Sequence, residues 1–480
     1  MARYKEYWEY GYKIKDGVGI IPEWEMEIKE GAFEGCTKLK SIEIPQWVKI
    51  IGNYAFSGCR NLKDLILPEW LEEIGVGAFH DCSCLEEISL PRWVKKIGKW
   101  AFSNCSRLTS ISINPSVTVI GEEAFSNCSS LTSISIPSSV TVIGNLAFRG
   151  CSSLTSISIP SSVTEIGNGA FSGCMSLTSI SIPPSVTKIG KFAFSDCSSL
   201  TDISIPPSVT KIGNGAFSGC SSLTDISIPP SVTEIGGDAF YGCSSLTSIV
   251  VSKDNKVYDS REDCNAIIHT ESNTLIRGCE NTIIPPSVTV IRHGAFRDCS
   301  SLTSISIPSS VTEIGEWAFS GCSSLTSISI PPSVTEIGGH AFFFCSSLTS
   351  ISIPPSVTEI GGSAFDGCKS LTNIVVSKDN KVYDSREDCN AIIHTESNTL
   401  IRGCENTIIP PSVTEIGCYA FYGCKSLTSI SIPPSVTKIG WGAFEYCSSL
   451  TSISIPKGCK VEEYAFDDCP KNLVITRYRS

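Results

Sequence analysis

Twenty-four cysteines are the residues of this 480-residue chain with the most chemistry to offer. A thiolate is a nucleophile, a metal ligand, or half of a disulfide. Seventeen of them, from Cys36 to Cys469, close the same signature, Ala-Phe-x-x-Cys. Successive Phe lie 23 residues apart, save for two steps of 56 and a last step of 22. A reactive thiol needs one special environment, and these positions are equivalent. Free Cys is a small, often buried hydrophobe, so this ladder reads as core packing. A chain of disulfides along it does not fit, because equivalent side chains on stacked strands run parallel about 4.8 Å apart, unlike a bridged pair. The other seven are Cys84, Cys264, Cys279, Cys389, Cys404, Cys418 and Cys459. Cys264 with Cys279, and Cys389 with Cys404, are spaced either to bridge in an exported protein or to remain buried thiols. Cys82-x-Cys84 is a lone pair, weak as a zinc motif.

Little else is built for catalysis. The five His, at 80, 269, 293, 340 and 394, show no metal-ligand spacing. No nucleophile elbow, phosphate loop or dinucleotide fingerprint occurs. Asp254-Asn255-Lys256-Val257-Tyr258-Asp259 is rich in oxygens but lacks the Gly and distal Glu of a calcium loop, and reads as a turn. No enzyme, cofactor or metal is expected. The net charge of -11 argues against nucleic acid or anionic lipid as a partner. No run approaches eighteen apolar residues, and no membrane insertion is expected. The first ten residues do not resemble a secretory signal, which with so many thiols favours a cytoplasmic location.

The elements that position these residues follow from one unit. From Cys128 it reads Cys-Ser-Ser-Leu-Thr-Ser-Ile-Ser-Ile-Pro-Ser-Ser-Val-Thr-Val-Ile-Gly-Asn-Leu-Ala-Phe-Arg-Gly. Ile134 and Ile136 alternate with Ser, as in a half-buried strand, and Pro137 stops it. Val140-x-x-Ile143 predicts a second short strand, and Gly144 is expected to supply a positive φ for the turn that follows. Ala147-Phe148-x-x-Cys151 fits one helical turn. One unit cannot bury its apolar residues alone, whereas stacked neighbours can, which predicts a repeat solenoid with parallel strands.

The pattern L-x-x-I-x-I-P-x-x-V-x-x-I-G-x-x-A-F-x-x-C resembles the BspA-like, or Treponema pallidum-type, leucine-rich repeat, from about Ile20 to Ile475. The resemblance implies a right-handed leucine-rich-repeat coil with a parallel sheet on one side. It also implies a bacterial or protist surface protein that binds host proteins or other cells. A cell-surface or secreted location is therefore set against the cytoplasmic reading.

Both 56-residue steps have one cause. Residues 252–289 and 377–414 are the same 38 residues, 125 apart. Within each copy, two short strand candidates (264–269 and 274–279 in the first) flank Glu271-Ser272-Asn273 and predict a β-hairpin insertion. The expected organisation is an N-terminal cap at 1–30 and one solenoid over 31–480. Hairpin insertions are expected at about 250–284 and 375–409, and a C-terminal cap at about 457–480.

Recognition should lie where coils depart from consensus. Trp24, Trp47, Trp70 and Trp93 recur at 23-residue spacing where later coils carry Ser, such as Ser116 and Ser139. They form either an exposed aromatic stripe suited to binding or a cap over the open end of the core with Tyr4, Tyr7, Trp8 and Tyr10. Around Ala-Phe, aromatics recur at Tyr54, Trp100, Phe192, Trp317 and Tyr419. These either bind a partner or fill gaps between coils. The leading expectation is a non-enzymatic protein-binding scaffold or adhesin whose partner is another protein, host or cell-surface. A structural spacer is the alternative, and an ice- or ordered-water-binding Ser/Thr ladder a minor one.

Overall fold

The computed structural model describes residues 12–479, in two units divided between Leu246 and Thr247. The first unit opens with an antiparallel hairpin, Lys13–Lys15 with Val18–Ile20. Its two-residue turn is Asp16-Gly17, both at positive φ (53° and 87°), the conformation this dipeptide favours in hairpins. Val18–Ile20 then pairs in parallel with Ser41–Glu43, and that strand with Asp64–Ile66. Later coils add strands such as Ser133–Ser135, with Ile134 opposite Ile157 of the next coil. In these strands Ile points inward and both Ser point outward. A second parallel sheet of ten two-residue strands runs from Glu27–Ile28 to Glu234–Ile235. Each coil thus has two strand sides and a turn side.

The turn side replaces the expected helical turn with overlapping tight turns. Ala55, Ser57 and Cys59 donate their N–H to the carbonyls of Gly52, Tyr54 and Phe56, three residues back. The intervening N–H groups of Tyr54, Phe56 and Gly58 donate instead to Val76, Ala78 and His80 of the following coil. Every backbone donor of the segment is satisfied, half within the coil and half between coils. This alternation requires two left-handed residues per coil, one before Ala and one before Cys; in this coil they are Tyr54 and Gly58, at φ 54° and 71°.

The glycine of the Ile-Gly step does a different job from the one expected. Gly144 is absent from the positive-φ residues. A Cβ there would lie 2.6 Å from the Glu122 nitrogen and 2.7 Å from the Gly121 carbonyl carbon. The position is glycine because coil backbones touch there, which one unit read alone does not reveal.

Inside, Phe33 to Phe240 form an unbroken stack of rings, as in Phe148 on Phe171 with centroids 5.5 Å apart and planes 3° apart. Tyr12 extends it, 5.4 Å from Phe33. Most ladder thiols donate to the carbonyl of the preceding coil's Phe, as Cys174 does to Phe148 at 3.3 Å, while Cys299 and Cys424 donate to Gly278 and Gly403. Burial pushes the thiols up, Cys105 and Cys151 to about 12.

The second unit contains both copies of the insertion. Ile267–His269 and Thr274–Arg277 pair antiparallel, and Tyr258–Asp259 adds a third strand on the outer side. Thr274–Arg277 then pairs in parallel with Val290–Ile291, so the hairpin feeds back into the coil stack. Cys264, Cys279, Cys389 and Cys404 are buried free thiols. Asn265 caps the neighbouring strand with its amide: its Oδ1 accepts the Ile249 N–H at 2.6 Å, and its Nδ2 donates to the Thr247 carbonyl at 2.7 Å. Asn390 repeats this on Ile374 and Thr372 at 2.6 and 2.8 Å. Side chains thereby terminate a sheet edge that would otherwise offer unpaired groups. In each copy a glycine, Gly278 or Gly403, stands where the ring ladder has Phe, and the next Phe ring fills the space; a Cβ on Gly403 would lie 2.3 Å from Phe421. Beside it Arg402 is buried, 3.5 Å from Asp366.

Candidate functional site

The four tryptophans occupy one position of the turn between the two strand sides. In the second coil, Pro45 accepts the Val48 N–H at 3.1 Å, and Trp47 is the residue before Val48. The same position elsewhere holds Ser with a defined task. Ser139 donates its hydroxyl to the Val117 carbonyl at 2.6 Å, and Ser185 and Ser208 do the same to Val163 and Val186 at 2.6 and 2.7 Å. These bonds tie each coil to the one before. Tryptophan cannot make this hydroxyl bond, so the coils of Trp47, Trp70 and Trp93 give up a coil-linking interaction for an indole.

Those indoles point outward. Trp24, Trp47, Trp70 and Trp93 are 81, 64, 47 and 42% exposed. Exposure falls along the series because each ring finds more cover; Trp70 and Trp93 stack with centroids 6.0 Å apart and planes 15° apart. Arg92 lies over Trp93 at 5.8 Å and pairs with Glu69 at 3.0 Å. The cap reading also invoked Tyr4, Tyr7, Trp8 and Tyr10, which lie outside the described residues.

Sequence reasoning missed two neighbours. Ile66, 80% exposed, occupies an outward strand position where most coils carry Ser. It borders a groove of about 350 Å³ lined by Gln46, Leu65, Leu67, Glu69, Ser89 and Pro91. Met26 is also exposed, at a position that is Lys or Glu in the next coils. The signal was available in both cases, as an apolar residue on an otherwise polar register.

The aromatics around Ala-Phe are organised differently. Tyr54, Trp100, Phe192, Trp317 and Tyr419 all precede Ala and all have φ between 54° and 59°. Glu123 and Leu146 adopt the same conformation at this position, with φ of 53° and 56°. The strained backbone therefore belongs to the fold and does not mark a site. Three of these aromatics, Tyr54, Phe192 and Tyr419, are followed one coil later by glycine, whereas Trp100 and Trp317 are followed by Glu123 and His340. A Cβ on Gly77 would lie 2.5 Å from the Tyr54 ring, on Gly215 2.3 Å from Phe192, and on Gly442 2.6 Å from Tyr419. Gap filling thus accounts for part of each of these three side chains, although Phe192 stays half exposed. Trp100 carries Lys99 over its face at 4.3 Å. Trp317 stacks on His340 at 4.0 Å, with Arg297 over Trp317 at 4.7 Å.

Nothing comparable assembles for chemistry. Among the described residues no group of three or more His, Cys, Asp or Glu is placed to hold a metal ion. No helix among them is long and apolar enough to cross a membrane.

A family model described as the BspA type leucine rich repeat region matches residues 26–155, 141–264, 275–389 and 399–477. Comparison with curated proteins gave no match. Among solved structures, a leucine-rich repeat protein from Bacteroides ovatus is similar at 26% identity, covering 98% of each chain, with a TM-score of 0.46. The pneumococcal vaccine antigen PcpA is similar at 17% identity over 98% of this chain and 97% of its own, with a TM-score of 0.45. The T. pallidum leucine rich repeat protein has 28% identity over 41% of this chain and 89% of its own, with a TM-score of 0.29.

Proposed function

The chain belongs to the BspA-type leucine-rich-repeat family, and on that premise we propose that it is a non-enzymatic protein-binding scaffold of the adhesin kind. Its recognition surface is the stripe Trp24, Trp47, Trp70 and Trp93 with Ile66 beside it. One observation carries the reading: four consecutive coils carry an exposed Trp where later coils carry Ser. An exposed apolar stripe of this kind, at a turn position that is Ser in later coils, suits a partner's surface. Tryptophan dominates binding hot spots because it buries much area with few rotatable bonds. The partner is a protein with an apolar patch of matching length, and the ion pair of Arg92 with Glu69 supplies a polar rim.

The test is affinity capture from lysate and from host extracellular proteins, comparing wild type with Trp24→Ser, Trp47→Ser, Trp70→Ser and Trp93→Ser combined. This variant supplies the residue that later coils use to bond the Val carbonyl, so it is expected to fold. A partner retained by wild type and lost from the folded variant supports the reading. A partner retained equally by both refutes the stripe as the recognition surface. The spacer reading draws on the uniform Ser-Ser-Leu-Thr-Ser-Ile-Ser-Ile of the central coils, and the absence of any specific partner would favour it.

A further inference from the structure

We propose that an aromatic cluster on the turn side of the second unit, built from Tyr419, Tyr422, Trp441, Tyr446 and Tyr464 around Glu445, docks an extended arginine- or lysine-bearing segment of a protein partner. This rests on the protein-binding reading and adds a second surface and the charge it recognises.

The rings form a connected set. Tyr419 meets Tyr422 at 5.6 Å and Trp441 at 5.0 Å, both near perpendicular. Trp441 meets Tyr464 at 5.2 Å, and Tyr422 meets Tyr446 at 5.5 Å. Trp441, Tyr446 and Tyr464 are exposed. Each perpendicular contact occupies the face of one ring only, so four contacts among five rings leave open faces, and ring faces attract cations.

The same strip already shows that preference. Arg297 lies over Trp317 at 4.7 Å, and Lys369 lies over Phe344 at 5.4 Å. Phe344 in turn contacts Tyr422 at 6.4 Å. Towards the end of the strip the chain's own cations give way to acids. Glu445 has Asp467 and Asp468 as neighbours, and after burial their like charges are what push its carboxyl up. The phenol of Tyr446 is held up chiefly by its hydrogen bond to Asp468. Some acids elsewhere are offset, Glu415 by Lys438 at 2.7 Å and Glu234 by Lys211 at 2.7 Å, whereas Glu336, flanked by Glu313 and Glu359 on the adjacent coils, has no cation partner among the described residues. Among the described residues Glu445, Asp467 and Asp468 form no ion pair. Ring faces beside uncompensated carboxylates fit a cation supplied from outside, with an aliphatic stem to lie along the rings. Guanidinium suits the site best, since it stacks on aromatic faces and bonds carboxylates with the same group.

The experiment titrates the full chain with the peptide acetyl-Gly-Arg-Gly-Arg-Gly-Arg-Gly-amide, and with its counterpart carrying Glu for Arg, by isothermal calorimetry at low and at physiological salt. Wild type is expected to bind the Arg peptide and not the Glu peptide, more weakly as salt rises. Affinity is expected to fall at least tenfold in Glu445→Gln/Asp468→Asn and in Trp441→Ser, and to persist in Trp441→Phe. The control Glu165→Gln/Glu234→Gln removes the same charge from other coils and is expected to change affinity less than twofold. Three results each overturn the proposal: no binding to wild type, equal losses in the control and in Glu445→Gln/Asp468→Asn, or unchanged affinity in Trp441→Ser. The four-Trp variant of the first unit is expected to bind the peptide as wild type does, so failure of the stripe and failure of this site are separate results.

Discussion

Replacing Gly213 by Ala tests the statement that backbone contact sets the coil spacing. A Cβ at Gly213 would lie 2.6 Å from the Gly190 carbonyl carbon and 2.6 Å from the Lys191 nitrogen. Carbon contacts are comfortable at about 3.5 Å or more, so the coils must part locally by about 1 Å, a fifth of the roughly 4.8 Å strand spacing. The atoms in the way are backbone and are pinned. Gly213 donates to the Ile189 carbonyl at 2.9 Å, and Lys188 and Ile189 are paired with Lys211 and Ile212. Overpacking costs about 1–3 kcal/mol, and each hydrogen bond lost adds roughly 0.5–1.5 kcal/mol. One or two bonds bring the expected cost to about 1.5–6 kcal/mol. Gly215→Ala, two residues on, is the informative comparison. There φ is +60° and the obstruction is the Phe192 ring, 2.3 Å away, which is half exposed and free to swing aside. The cost is left-handed strain, roughly 1–2 kcal/mol, plus a smaller contribution from displacing the ring. Phe192→Ser should lessen the Gly215→Ala penalty and leave that of Gly213→Ala unchanged. A repeat array does not unfold as one unit, so amide exchange in residues 186–240 is read beside the urea midpoint. A Gly213→Ala cost below about 1 kcal/mol, or one no larger than that of Gly215→Ala, refutes the reasoning.

Three further predictions concern the core. Cys105, Cys151 and Cys197 have thiols pushed by burial from 9.0 to about 12. As pH rises past 9 the unfolded chain releases these protons first while the fold retains them. Stability is therefore whole below pH 9 and falls between pH 9 and 12 by about 1.4 kcal/mol per unit for each thiol. Urea titrations across that range should give a shallower slope for Cys151→Ala. Phe171 stacks on Phe148 and Phe194 at 5.5 and 5.4 Å, and Phe171→Ala should cost about 3–5 kcal/mol by chemical denaturation. Asp366→Asn leaves buried Arg402 without its charge partner at 3.5 Å and should cost about 3–5 kcal/mol, while Asp366→Asn/Arg402→Met should recover most of it, read as melting temperature.

What the sequence revealed and what it hid divide along a physical line. The 23-residue period, the inward Ile of strands such as Ser133–Ser135 and the buried ladder Cys were legible because side-chain periodicity records burial directly. The hairpin at Ile267–His269 and Thr274–Arg277 was legible from alternation around a polar turn. Features set by contact between coils were not. Gly144 was read for its dihedral, whereas its neighbour is the backbone 23 residues earlier. The pairing of a large residue with a glycine in the next coil, Tyr54 with Gly77 or Phe192 with Gly215, is written in the sequence but emerges only when units are stacked. Gly403 in the Phe ladder and buried Arg402 were hidden inside the insertion, which has no consensus to depart from. Of the candidate surface, the Trp positions were legible, and their cost, the missing Ser-to-carbonyl bond of Ser139, was not.

The central claim is that the tryptophan stripe meets a protein partner, and oxidative footprinting with mass spectrometry tests it without altering the fold. Wild-type protein is exposed to hydroxyl radicals alone and with the captured partner, and modification is counted at Trp24, Trp47, Trp70 and Trp93 against half-exposed Phe192. The account predicts strong oxidation of the free protein, greatest at Trp24, and protection of at least Trp47 and Trp70 in the complex with Phe192 unchanged. Equal oxidation of the four tryptophans in the free and bound protein would contradict it.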